Sequence, residues 1–108
     1  MIELAREGRS ALLTLTGPLD FHGVADLEAA LDGIEADDLD RVVVELEKGG
    51  VFDDGAVGVL VRAGARLRSA GARLVLVGTD GRTREALRAI GVDRTVVLAE
   101  SRDEALAS

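Results

Sequence analysis

Two short apolar runs, "RVVVEL" at residues 41–46 and "ARLVLVG" at residues 72–78, limit the folds open to this chain. Neither alternates apolar with polar residues, so each reads as a strand buried on both faces, as in a parallel sheet. Between them, Val57, Leu60, Val61, Gly64 and Leu67 recur at helical spacing, with Arg62, Arg66 and Ser69 facing away and Gly71 placed to end the helix. Strand, helix and strand in that order make a βαβ unit.

The flanking segments extend this unit. Ile2 and Leu4 alternate with polar neighbours, "EGRS" reads as a turn, and "ALLTLTG" resumes the alternation with Leu13 and Leu15 on one face. Strands joined by so short a turn pair antiparallel, and Pro18 closes the second because it has no N–H to donate. Val24, Leu27, Leu31 and Ile34 form one apolar helical stripe, with Asp26, Glu28, Asp32 and Glu35 off it, before the polar connection "EADDLD". Later, "TDGRTREALRAIG" predicts a helix with Asp80 as N-cap and Gly91 just past its end, and "TVVLA" predicts a last strand. Ser101 and Glu104 have capping-box spacing before a short terminal helix. The order β-β-α-β-α-β-α-β-α predicts one α/β domain over residues 1–108. It is a mixed sheet with an N-terminal antiparallel hairpin and helices packed mainly on one side.

Composition removes several functions. The 108 residues include no Cys, so a thiol nucleophile, a disulfide framework and a Cys-ligated metal are excluded. With two Phe and no Tyr or Trp, stacking platforms for bases are nearly absent. The net charge of −7 argues against direct nucleic-acid binding. No apolar run reaches the length of a membrane span, and "MIELAREGRS" lacks the marks of a signal peptide. A cytoplasmic protein without membrane insertion is expected. The charge is asymmetric: residues 1–61 carry 14 acids and 4 bases, residues 62–108 carry 9 arginines and 6 acids, and residues 20–40 hold eight carboxylates without a base. A solvated acidic helix face accounts for this last run, and it also suits steering of a basic partner.

"GGVFDDGAVGVL", residues 49–60, is the densest motif. As an acid/base pair, Asp53 and Asp54 lack a second functional group, since His22 is the only His and there is no Cys or Tyr. Other oxygen ligands for a Mg²⁺ site are not identifiable, and no metal or cofactor is expected. One of the two acids is expected to cap the next helix, where free N–H groups and the helix dipole favour a carboxylate. Gly49 and Gly50 lack the Gly-Lys-Ser/Thr continuation of a phosphate loop. The arginines at positions 62, 66, 68, 73, 82, 84 and 88 read as solvated helix faces rather than as an anion patch.

The element order, "GPLD" at the end of the second strand, and "VVVEL" leading into "VFDDGAVGVL" resemble the STAS domain, the family of bacterial anti-sigma factor antagonists. The resemblance spans essentially the whole chain. A typical member reads G-E-L-D, then V-V-V-D-L, then F-I-D-S-S-G-L-G-V-L. Laid on that pattern, Asp53 matches the motif Asp, Asp54 the first Ser, Gly55 the second Ser, Ala56 the first Gly, Val57 the Leu and Gly58 the second Gly. The resemblance implies a non-enzymatic module that binds an anti-sigma factor, itself a serine kinase, or another regulatory protein. In such members the kinase phosphorylates the second Ser, and the added charge at the start of an interfacial helix releases the partner.

The surface so implied comprises Asp20, Phe21, His22, Phe52, Asp53, Asp54, Gly55, Val57 and Gly58, with Gly55 as a degenerate phosphosite. Phe21 is either a binding anchor or a core residue, and His22 reads as a surface residue rather than a ligand. No Ser or Thr occurs from residue 49 to 60, so the switch is expected to be locked. With Asp54 standing in for phosphate, it is locked in the released form; with Gly55 standing in for unphosphorylated Ser, in the binding form. One carboxylate one residue away copies a dianionic phosphate poorly, which favours the second. The alternative keeps the fold and makes the chain a STAS subunit of a transport system or a sensor of a small ligand or nucleotide. The oligomeric state is left open.

Overall fold

A computed structural model describes residues 2–47 and 53–107. Five strands form one sheet in the order β1-β2-β3-β4-β5, with β1 Ile2–Glu7, β2 Ser10–Leu15, β3 Arg41–Leu46, β4 Arg73–Val77 and β5 Val97–Ala99. β1 and β2 pair antiparallel, Leu4 opposite Leu13, and each later pair is parallel. The helices are α1 Phe21–Asp32, α2 Asp54–Ser69, α3 Gly81–Ala89 and α4 Arg102–Ala107. This is the α/β mixed sheet that the apolar runs and the hairpin predict.

The period-two pleat sorts the strand residues between two cores. Ala11, Leu13, Val42, Val44, Leu74 and Leu76 face α1 and α2, whose Leu27, Leu31, Leu60 and Leu67 complete the larger core. Leu12, Val43, Val75, Val77 and Ala99 face the other way and pack with Ala105 of α4. β3 and β4 are continuous apolar runs because both of their faces are covered. Only the short α4 lies on the second face, so most of the helical layer is on one side.

Gly71 and Gly78 take conformations that other residues avoid. At the end of α2, Gly71 has φ +86° and its N–H donates to the Arg68 carbonyl, while the Ala72 N–H donates to that of Leu67. This pair of bonds is a Schellman ending, which turns the chain directly into β4. Gly78, at φ +102°, follows β4 so closely against β3 that a Cβ would overlap the Leu46 carbonyl oxygen.

The observed elements differ from the expected ones at three places. The last strand is Val97–Ala99, shorter than "TVVLA", because a 3-10 helix, Val92–Arg94, precedes it. The Thr95 and Val96 N–H groups both donate to the Val92 carbonyl, at 3.0 and 2.9 Å, which holds these residues out of the ladder. The connection after α1 is polar in composition but anchored, since Ala36 and Leu39 are buried. Arg66, although exposed, folds back so that its guanidinium donates to the carbonyls of Leu31 and Ile34, at 2.5 and 3.5 Å. It thereby satisfies acceptors at the C-terminal end of α1.

Candidate functional site

The expected site residues that the structure describes fall at the C-terminal ends of the parallel strands, where open α/β sheets place their functional loops. Asp20 is the N-cap of α1: its backbone is extended, and its Oδ1 accepts from the Gly23 N–H at 3.0 Å. That cap makes Phe21 the first residue of the helix and turns its ring outward. Phe21 is 79% exposed, so it is not a core residue. His22 is also exposed and meets the Phe21 ring edge-on, with ring centroids 5.7 Å apart.

Asp53 repeats the arrangement one strand over. It is the N-cap of α2, and its Oδ1 accepts from the Gly55 N–H at 2.7 Å. Of the two adjacent acids, Asp53 is therefore the capping residue. Asp54 opens the first turn of α2 and is exposed, where its charge faces the positive end of the helix dipole. Asp53 has a second part: its N–H donates to the Leu19 carbonyl at 2.9 Å. This bond ties the start of α2 to the loop that delivers Asp20, Phe21 and His22. The two segments, more than thirty residues apart in sequence, become one surface.

Gly55 lies on that surface and is exposed. A Cβ at this position would sit 3.2 Å from Asp53 Oδ1 and 3.9 Å from Val24 Cγ1. Any side chain here would lie between the capping carboxylate and the first turn of α1. Val57 packs partly into the larger core, and Gly58 is half-buried beneath Arg62, with its Cβ position 3.1 Å from Nη1. Phe52, together with Gly49 and Gly50, lies outside the described residues.

Three contributors were not legible in the sequence. The Leu19 carbonyl acts through its backbone, which composition does not report. Val24 read as part of a helix stripe, yet it also borders the position of Gly55. Arg62 Nη2 reaches Glu28 Oε2 at 3.2 Å and braces α2 against α1 beside the surface. Charge types alone do not specify such a contact. Among the described residues, no group of three His, Asp or Glu side chains is arranged to hold a metal ion. No helix of those residues is long and apolar enough to cross a membrane.

Known structures share this fold. An anti-sigma factor antagonist from Mycobacterium paratuberculosis is 20% identical with a TM-score of 0.79, covering 99% of this chain and 91% of that one. The unphosphorylated form of the anti-sigma factor antagonist SpoIIAA is 19% identical with a TM-score of 0.75, covering 98% and 93%. The murine anion transporter Slc26a9 is 15% identical with a TM-score of 0.73, and 95% of this chain matches 18% of the transporter. At these identities the likeness establishes the fold. No curated protein sequence matches the chain significantly. The family model described as the STAS domain does match, over residues 1–105. The match covers nearly the full length, and the chain belongs to the STAS domain family.

Proposed function

We propose that this STAS domain is a regulatory binding module of the anti-sigma factor antagonist kind. In this reading it docks an anti-sigma factor with kinase-like character on the surface of residues 20–22 and 53–58. The observation that carries the reading is the exposed Phe21 beside the α2 N-terminus, held there by the bond from the Asp53 N–H to the Leu19 carbonyl. Exposed aromatics carry a disproportionate share of interface energy. A surface that joins an exposed aromatic anchor to the capped, acidic start of α2 suits a protein partner better than a substrate. The setting is cytoplasmic, and the domain does no chemistry of its own.

Gly55 stands where the phosphorylatable Ser of the family would stand, so the module binds without that off-switch. The Asp53 carboxylate is committed to the helix cap, and Asp54 supplies one charge where a phosphate would supply nearly two. The chain therefore resembles the unmodified, binding-competent form.

Co-purification from the native cell tests this, repeated with Phe21→Ala and with Asp54→Ser/Gly55→Ser. Recovery of a kinase-like anti-sigma factor is expected, weakened by Phe21→Ala by about 2 kcal/mol. The double substitution is expected to accept phosphate from that partner, whereas the unaltered chain does not. Recovery of no such protein overturns the reading. Recovery of a transporter or ATPase subunit instead would favour the alternative, to which the fold shared with an anion transporter lends support.

A further inference from the structure

β1 is an edge strand, and an open cleft of about 600 Å³ runs between it and α1. Its walls are aliphatic: Ile2 and Leu4 from β1, Leu13 behind them, and Ala30, Ile34 and Leu39 from α1 and the chain that follows. Leu4 is 60% exposed at the middle of the strand. Ala29 and Gly33 also line the cleft, so α1 presents small residues there and leaves the space open.

The lip is acidic. Asp26 and Glu35 line the cleft against one base, Arg6. Asp32, Asp37 and Asp38 continue the acidic stretch and are exposed. None of these five acids forms an ion pair with a described residue; of their neighbours, Glu28 is taken by Arg62 and Asp40 by Arg9. These acids of the charge run of residues 20–40 are all exposed to solvent. Part of the run borders an apolar cleft.

We propose that this cleft is a second docking site, for an amphipathic helix of a partner protein with a basic flank. A helix laid along a groove places an apolar stripe on the floor and its flanking residues on the lips. Here aliphatic side chains would meet Leu4 and Ile34, and Lys or Arg would meet Asp26 and Glu35. The cleft is too large to be filled by Ile90, an exposed aliphatic side chain on the basic half of the chain, so a second copy is a poor fit. An anionic membrane surface would be repelled by the acidic lip. The site uses β1 and α1 from Asp26 onward, without Phe21 or Asp53, and it stands independently of the anti-sigma reading.

The probe is a synthetic amphipathic peptide of roughly four helical turns with a Leu stripe flanked by Lys, compared with the same peptide carrying Glu for Lys. Binding to the full chain is measured by fluorescence anisotropy, with amide NMR shifts locating the contact. The Lys peptide is expected to bind at least about tenfold more tightly than the Glu peptide, with shifts in β1 and α1. Leu4→Asp should weaken it by about tenfold or more, Arg6→Glu should strengthen it, and Phe21→Ala should leave it unchanged. Leu4 is exposed enough for the Asp variant to fold, and circular dichroism checks this. Should it fail to fold, the gain with Arg6→Glu carries the test alone. No binding at millimolar peptide, equal binding of the two peptides, or insensitivity to both β1 variants overturns the proposal. So does a dimer of the chain alone, seen by sedimentation velocity and dispersed by Leu4→Asp, because the occupant is then a second copy.

Discussion

At the residue scale, Asp53 and Asp54 are adjacent carboxylates with different work. Asp53 closes the first turn of α2 through the Gly55 N–H, and Asp54, which has no side-chain partner among the described residues, faces the helix dipole. Asp53→Ala is expected to cost about 1 kcal/mol in chemical denaturation, with Asp53→Asn close to unaltered. Asp54→Ala should stay within about 0.5 kcal/mol. A larger loss from Asp54 would reverse the assignment of the cap. Gly78→Ala should be more damaging than a typical surface change, because it combines a φ of +102° with a clash against the Leu46 carbonyl oxygen. Thermal melting should show a clear fall in Tm. The sequence marks Asp53 and Asp54 as candidate caps but cannot choose between them, since the choice depends on which residue is still extended when the helix begins.

The elements differ in how openly the sequence announces them. α2 does so through its stripe, and its Leu60 is fully buried between the sheet and α1. Leu60→Ala should therefore cost about 2–5 kcal/mol in urea unfolding, with the spread set by how far the site collapses. α3 announces itself by its cap, because the Asp80 carboxylate accepts from the Thr83 N–H at 2.7 Å. That bond holds the carboxyl below its ordinary value of 3.8. The stabilisation is fully present above the ordinary value and is lost as pH falls through the lowered one. Acid titration of the unaltered chain should therefore show a loss of α3 stability at low pH that Asp80→Asn lacks. The 3-10 helix before β5 was not legible: it depends on two N–H groups sharing the Val92 carbonyl, and "TVVLA" carries full strand propensity.

For the whole molecule, the acidic half supplies the hairpin, α1 and the start of α2, so the candidate partner surface and the cleft beside β1 share one electrostatic field. Association of a basic partner should slow as salt rises, by stopped-flow measurement, while Phe21→Ala should act mainly on dissociation. A rate indifferent to salt would remove charge steering from the account. The sequence by itself determined the element order, the parallel centre of the sheet and the absence of a phosphorylatable residue at position 55. These follow from the period of apolar positions, from caps a few residues apart and from residue identity, all of which are local. Only the tertiary structure decided that Phe21 faces solvent, that Arg66 turns back onto α1, and that the helix starts carrying Phe21 and Gly55 form one surface. The last two outcomes rest on contacts between residues about thirty or more positions apart, such as the Asp53 N–H to the Leu19 carbonyl. Such pairings exist only once the sheet has brought β2 and β3 side by side.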